Sequence, residues 1–386
     1  MCSSDLSTDS IPTESTDAST TSTTAAPAVV APLTGLPTSD TALATRKAVV
    51  VKIDGHPGAK RQFGLDRADI VIEEIVEGIT RYMAVFHSDV PAVVGPIRSA
   101  RTQDMLIVPM LDRPLFVWSG GNRKVTNLVR KSPVVNLSAT TGWRLKGIWF
   151  RTKKRRAPHN LLARGPGLLA QMPVASKQPR PLFAYRRADD AAVGREVSGV
   201  KISMSSTRVQ WLWDATSATW QRSVYNKAHF SDAGVRVAVD NVVILEVKYR
   251  SSAADRRSPE AQTMGSGKAL VLTGGRLVQG TWRRSDPKQP WTLTDTSGQA
   301  ILLAPGRTWV ELAKSSRSAV IESASEQPAA ASGMSTVLAG LRIFAVSAMK
   351  CTPQKTMTDA STWAATRDSA SESPTWSAMS WISDTW

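Results

Sequence analysis

Four short segments of the sequence carry polar residues of the types that bind ligands or transfer protons. Their carboxylates, imidazoles and guanidinium groups lie next to predicted strand ends and helix starts, where functional residues are often placed. The candidate ligand-binding residues are Asp54, His56, Glu77, Arg81, Arg98, Arg101, Arg155, Arg156, His159 and Asn160. Among these, His56, Glu77 and His159 are also the candidates for a catalytic acid or base.

Two of the segments place an acid beside a turn. Asp54 and His56 follow the apolar run 48–53. Either His56 is functional, or the Asp54 side chain only stabilises the turn. Glu77 stands beside Gly78 between two predicted strands, which suits a general base that projects into a cleft. An ion pair between Glu77 and Arg81 explains the same pattern.

The third segment places Arg98 and Arg101 on either side of Ser99. We expect a helix over 99–111 with Ser99 as its N-cap. The N–H groups at its start and the two guanidinium groups would together bind a phosphate or a carboxylate. Alternatively, both arginines pair with the acidic stretch at 66–77.

The fourth segment follows a dense basic loop that contains Arg155 and Arg156. His159 is titratable and Asn160 carries a bidentate amide, so the group suits an anionic partner. Alternatively, His159 and Asn160 hold the start of a helix at Leu161.

The sequence lacks the common nucleotide, cofactor and protease signatures. There is no Walker A loop, no G-x-G-x-x-G, no H-E-x-x-H and no G-x-S-x-G. The four histidines show no metal-ligand spacing, and two cysteines cannot form a four-cysteine zinc site or a disulfide framework. We therefore expect neither a metal nor a cofactor.

Charge is concentrated in one part of the chain. The formal net charge is +16, yet residues 113–188 contain 17 basic residues and no acid, so the remainder sums to about −1. A local basic face of this kind suits nucleic acid or another polyanion. Alternatively, part of this basic charge is neutralised by pairing with the acidic residues between Asp66 and Glu77.

The patterning predicts an α+β fold with two folded domains. A mixed α/β N-terminal domain is expected at 32–185, where strand and helix patterns alternate, followed by a linker at 186–190. A small β-rich domain is expected at 191–313, with a hairpin at Gly274-Gly275. Trp211, Trp213 and Trp282 form either its core or a stacking platform for sugars or bases.

The two ends of the chain differ in composition from the rest. Residues 1–31 are rich in Ser and Thr, which predicts a disordered tether. The first six residues either begin a mature lipoprotein at Cys2 or are the remnant of a sequencing adapter, and no complete signal peptide is present. The composition of residues 314–386 predicts a low-complexity tail. A frameshift in the gene is one explanation for this composition.

Several motifs resemble, in order and spacing, those of the YerB-like bacterial lipoproteins. They are VVKIDGHP at 50–57, GLDRAD at 64–69, VEGITR at 76–81, GPIRSAR at 95–101, APHNL at 157–161, SPEAQTMGSG at 258–267 and PGRTWVEL at 305–312. The resemblance covers about 32–313 and implies an extracytoplasmic protein anchored to the membrane. The family's activity is not established. Gly55 departs from the family's usual Asp-Asn-His-Pro.

Three functions follow from these observations. We expect a non-catalytic lipoprotein of the cell envelope that binds an anionic envelope component or a partner protein through Arg98, Arg101, Arg155, Arg156 and His159. The first alternative is a hydrolase or transferase on a cell-wall polymer, with Glu77 or His56 as base and with His159 and Asn160 stabilising negative charge. The second is nucleic-acid binding through 113–187, which an envelope location disfavours.

Overall fold

The structure is a computed structural model that describes residues 29–322, apart from 146, 174–177 and 188. The predicted tether up to residue 28 and the predicted tail from residue 323 lie outside the described residues. The described chain is mostly β-strand with few helices, and its two-part arrangement agrees with the sequence prediction.

The first part of the chain is built around β3, whose residues are all buried. Its β-branched side chains suit a central strand that is covered on both faces. The strands of this part are β1 Val29–Val30, β2 Pro37–Thr38, β3 Val49–Asp54, β4 Ile70–Val76, β5 Ile79–Phe86, β6 Val93–Val94, β7 Leu115–Trp118, β8 Val135–Ser138, β9 Trp149–Arg151 and β10 Leu161–Arg164.

The second part consists of strands and turns. Trp211 and Trp282 are buried in it, so they belong to the core and not to an exposed stacking platform. Its strands are β11 Arg195–Met204, β12 Thr207–Asp214, β13 Thr219–Val224, β14 Lys227–Ala228, β15 Ala238–Val239, β16 Asn241–Ser251, β17 Pro259–Gln262, β18 Gly265–Thr273, β19 Arg276–Arg284, β20 Thr292–Asp295, β21 Thr308–Lys314 and β22 Ser318–Glu322. Because β22 pairs with β11, this part extends past the predicted boundary at 313.

One hydrogen-bonded sheet crosses from the first part into the second. β3 lies between antiparallel β5 and parallel β7, β7 pairs with β8, and β5 pairs with β4. β4 then pairs in parallel with β21, which pairs with β16. Residues Ile70 and Glu73 are thereby aligned with Thr308 and Glu311. The two parts of the chain therefore share backbone hydrogen bonds within one sheet.

The helices are short. They are α1 Asp104–Ile107, α2 Arg123–Lys131, α3 Ala139–Gly142 and α4 Gly165–Leu169, with 3-10 turns at Thr41–Ala44, Pro57–Ala59, Leu65–Arg67 and Val108–Leu111. Among the helices of the described residues, only α2 exceeds two turns, and the Asn122 side chain caps it by accepting from Val125 N. The alternating helices expected for a mixed α/β first domain are thus weakly developed.

The predicted start of a helix at Ser99 is wrong. Ile97 forms a bridge with Ile53, and Arg98 N donates to the carbonyl of Lys52, so this segment is held alongside β3. The first helical residue is Asp104. The helix N-terminus that was expected to bind an anion beside Arg98 and Arg101 is therefore not formed there.

Candidate functional site

Asp54 is the buried acid around which the candidate site is organised. It is the last residue of β3, and its carboxylate reaches the polar groups of three chain segments. Oδ1 accepts from His56 N at 3.0 Å, and Oδ2 lies 2.6 Å from His159 Nδ1 and 3.4 Å from Arg98 Nε. A single carboxylate therefore positions a turn, an imidazole and a guanidinium group.

The rings of His56 and His159 are stacked, with centroids 4.2 Å apart and planes 11° from parallel. His56 Nδ1 accepts from Gly58 N at 3.0 Å, which assigns the proton of the neutral ring to Nε2. Burial, followed by the neighbouring His159, lowers the pKa of His56, so His56 is a neutral donor near pH 7. The Asp54 carboxylate fixes the proton of His159 at Nδ1 and leaves its Nε2 for another partner.

Asp54, His56, Arg98 and His159 together form what we call the histidine face. The chain brings them together because Ile97 N donates to the carbonyl of Leu161 at 2.7 Å, next to the Ile53–Ile97 bridge. The Arg98 side chain is 20% exposed, and its Nη1 lies 3.5 Å from the carbonyl of Pro158. This face carries two imidazoles and one guanidinium against a single carboxylate.

Glu77 belongs to a second cluster, which we call the glutamate cluster: Glu77, Arg81, Arg101 and Ser258. Arg101 binds the Glu77 carboxylate through Nε at 2.6 Å and Nη2 at 2.8 Å, and Ser258 Oγ donates to it at 2.8 Å. Although burial opposes ionisation, Arg101 and the other partners lower the pKa of Glu77 to about 2. The predicted partner Arg81 lies farther away, at 3.7 Å. A carboxylate held in this way is a weak base.

Arg81 connects the two groups. It stands opposite Asp54 across β3 and β5, and its Nη1 donates to the carbonyl of Ser99 at 2.9 Å. Burial lowers the pKa of Arg81 to about 10, and the nearby charges of Arg101 and Arg98 act in the same direction. The histidine face and the glutamate cluster are therefore neighbours, and the guanidinium groups of three arginines influence one another.

The remaining predicted site residues point elsewhere. Arg155 donates to the carbonyls of Ala59 and Arg61 and contacts Asp232, so it fixes the loop that carries His56. Arg156 is exposed.

Asn160 is turned into its own loop, where its amide donates to the carbonyls of Thr152 and Arg155 and its oxygen accepts from Arg151. Leu161 begins β10, so the helix start suggested there is wrong. The pairing of β10 with β9 explains why a strand forms instead.

The basic side chains of segment 113–187 are largely solvent-exposed in the described residues. Arg155 turns inward, and Arg164 lies over the Phe150 ring at 4.4 Å. Exposed side chains include Arg123, Lys124, Arg130, Lys131, Arg144, Lys153, Lys154 and Arg156. Among the described residues, no three His, Cys, Asp or Glu side chains are placed to hold a metal ion.

Beneath the two groups lies a buried charge cluster that none of the sequence motifs predicts. Lys52 contacts Glu74 and lies 2.7 Å from Asp104 Oδ1, with all three side chains buried. Asp104 Oδ2 also accepts from Arg101 N at 2.8 Å, which ties the loop after Arg98 to β3. The available signal was a lysine inside the β-branched run VVVKID.

We expect Glu77→Gln to lower the free energy of unfolding by about 1 kcal/mol at pH 7, because the 33% exposed side chain is screened by water. The pKa of Glu77 is lowered in the folded state to about 2. Its contribution is therefore complete above the unfolded pKa and is lost as the pH falls toward 2. Urea unfolding at pH 7 and pH 3 measures this, with exposed Glu196→Gln as control. An effect of the same size at both pH values would contradict it.

Comparison with known proteins supports the family resemblance across both parts of the chain. Residues 33–178 match the family described as "Protein of unknown function (DUF3048) N-terminal domain", and residues 200–310 match its C-terminal domain. The chain is 27% identical over 294 residues to YerB of Bacillus subtilis (strain 168), whose name assigns it provisionally to the lipoproteins; 73% of this chain and 85% of that protein are covered.

The fold also has a counterpart among solved structures. The crystal structure of the YerB protein from Bacillus subtilis superposes with a TM-score of 0.67 at 24% identity, over 76% of this chain and all of that one. No helix of the described residues is long and apolar enough to cross a membrane. The two matched domains and the shared fold establish that this chain belongs to the YerB-like family.

Proposed function

We propose that this protein is an envelope lipoprotein whose histidine face binds an anionic group of an envelope polymer or of a partner protein. The observation that carries this proposal is the stack of His56 and His159 beside Arg98, whose side chain is partly exposed. The name of the Bacillus relative supports a membrane-anchored location outside the cytoplasm.

The available hydrogen-bonding atoms suit an oxyanion. His56 offers Nε2–H, because its Nδ1 is occupied by Gly58 N. Arg98 turns Nε toward Asp54 and Nη1 toward the carbonyl of Pro158, which leaves Nη2 for a ligand. His159 Nε2 accepts from a protonated oxyanion or, when charged, donates to an ionised one. A phosphate or carboxylate would thus receive charge-assisted hydrogen bonds, the stronger kind.

The contacts within the site reduce the number of predicted residues that can contact the ligand directly. Arg101 is engaged by Glu77 through two nitrogens, and Arg155 by backbone carbonyls. We therefore assign direct ligand contact to Arg98, His56 and His159. Arg101 and Arg155 are positioning residues that hold the two loops of the face.

A second candidate function is general-base catalysis by His159. A carboxylate at 2.6 Å from Nδ1 is the arrangement that orients the catalytic histidine of many hydrolases. The geometry favours His159 for this role over Glu77, because Glu77 is held by Arg101 and its pKa is lowered to about 2. The test is hydrolysis of a wall polymer that contains phosphodiester bonds, measured as new phosphomonoester ends. Activity of the wild type that is abolished in His159→Gln would establish this second function.

We expect Arg98→Ala to weaken binding of poly(glycerol phosphate) at least tenfold, since a charge-assisted hydrogen bond contributes about 1.5–3 kcal/mol. Isothermal titration of the full chain measures the affinity, and polygalacturonate provides the carboxylate counterpart. The control is Arg257→Ala, which removes the same charge from a side chain that is 91% exposed in the second part. Equal affinity of the wild type and Arg98→Ala for both polymers would contradict the proposal.

A further inference from the structure

A cavity of about 200 Å³ lies between the two parts of the chain. One side is the loop after β3, which contributes residues from Gly55 to Gln62, together with Tyr82 on β5. The other side is the turn between β13 and β14 and the residues that follow it, up to Phe230. Ligand pockets are common at such junctions, because two separately shaped surfaces meet there.

The cavity has aromatic walls and a cationic rim. Tyr82, Tyr225 and Phe230 supply the rings, and most of the lining surface is apolar. Lys60, Arg61 and Lys227 supply positive charge, and no acidic residue lines the cavity. In the part of the chain that the structure describes, Lys60 and Lys227 form no ion pair.

The polar groups at the inner end are already satisfied. His229 Nε2 lies 2.9 Å from Gln62 Oε1, and the Gln62 amide donates to the carbonyl of Asp54 at 2.9 Å. Burial, together with Arg222, Arg236 and Lys60, holds the pKa of His229 well below its ordinary value. The inner end is therefore uncharged and offers little to a polar ligand, whereas the rim attracts anions.

We propose that this cavity binds a small molecule with one aromatic ring and one anionic group. The ring packs against Tyr225 and Phe230, and its carboxylate or phosphate contacts Lys60 and Lys227. A volume of about 200 Å³ accommodates a single ring, since an apolar cavity of about 150 Å³ is enough to bind benzene. This site is separate from the histidine face, although the loop that carries His56 lines it, and its occupant would contact both parts of the chain.

Phenyl phosphate and phenylacetate are the probes, and benzyl alcohol is their neutral counterpart. Isothermal titration of the full chain measures the three affinities. We expect at least one of the two anions to bind at least tenfold more tightly than benzyl alcohol. The Lys60→Gln/Lys227→Gln variant is expected to weaken that binding at least fivefold. The matched control Lys248→Gln/Lys268→Gln removes two exposed lysines outside the cavity and should leave the affinity unchanged.

A second variant tests the position of the ring. Ala228→Trp places a bulky side chain at the cavity wall and is expected to abolish binding of the anionic probe. Arg98→Ala is expected to leave it intact, which separates this site from the histidine face. The proposal is overturned if both anions bind no more tightly than benzyl alcohol. It is also overturned if affinity is lost in Arg98→Ala but kept in the lysine variant.

Discussion

Arg222→Met is expected to lower the free energy of unfolding by about 3–5 kcal/mol. Arg222 is fully buried, and its Nη2 lies 2.6 Å from Glu73 Oε2. Its guanidinium also lies over the Trp309 ring at 4.7 Å. Removing it leaves the buried carboxylate of Glu73 without its counter-charge, which costs far more than an exposed ion pair contributes.

The second buried acid beside Arg222 is Glu311, and its pKa differs from that of an exposed glutamate. Burial and the adjacent Glu73 raise the pKa of Glu311 well above its ordinary value, which favours its protonated form. Its Oε1 accepts from Trp211 Nε1 at 2.9 Å. Glu73 is the carboxylate that Arg222 contacts directly, across the junction between β4 and the second part of the chain.

Chemical unfolding of the wild type and Arg222→Met measures the loss, with exposed Arg257→Met as control. The double variant Arg222→Met/Glu73→Gln removes the orphaned charge as well. It should recover at least half of the lost free energy. A loss below 1 kcal/mol, or a double variant no more stable than the single one, would contradict this account of the junction.

Lys52→Met is expected to have a similar effect, about 3–5 kcal/mol, and to weaken the histidine face as well. Burial lowers the pKa of Lys52 to about 8, with Asp104 acting in the opposite direction, so Lys52 is charged at pH 7. Its loss leaves the buried carboxylates of Glu74 and Asp104 without the cation that both contact. Asp104 also holds Arg101 N, so the loop that presents Arg98 loses its attachment.

Two controls distinguish charge from packing at Lys52. Lys47→Met removes a lysine whose partner Asp112 is 45% exposed, and it should cost less than 1 kcal/mol. Lys52→Met/Glu74→Gln/Asp104→Asn removes all three charges and should regain most of the stability. Unfolding in urea and titration with poly(glycerol phosphate) provide the two readouts. A triple variant as unstable as Lys52→Met would show that the lysine acts through packing.

Local signals in the sequence predicted much of the sheet. The strand at Leu115–Trp118 and the hairpin at Gly274-Gly275 occur where expected, because β-branched runs and paired glycines act over a few residues. The failures at Ser99 and Leu161 have a different cause. There the chain is fixed by pairing with β3 and β9, which lie outside these two segments and leave no pattern within them.

The candidate site was predictable in its residue types but not in its partnerships. His56 and His159 were both singled out, yet their stack depends on Asp54, which is 105 positions from His159. Arg155 and Asn160 stood in a conspicuous basic loop, but they bind backbone carbonyls. A carbonyl is present at every residue, so the sequence carries no sign of which one an arginine will contact.

The most direct test of anion binding at the histidine face is an NMR titration of the four histidine side chains with inorganic phosphate, in protein labelled with ¹⁵N at histidine. We expect saturable shifts of the His56 and His159 ring nitrogens and little change at His87 and His229. In Arg98→Ala the same shifts should require at least tenfold more phosphate. Shifts that fail to saturate, or that are identical in the wild type and Arg98→Ala, would contradict it.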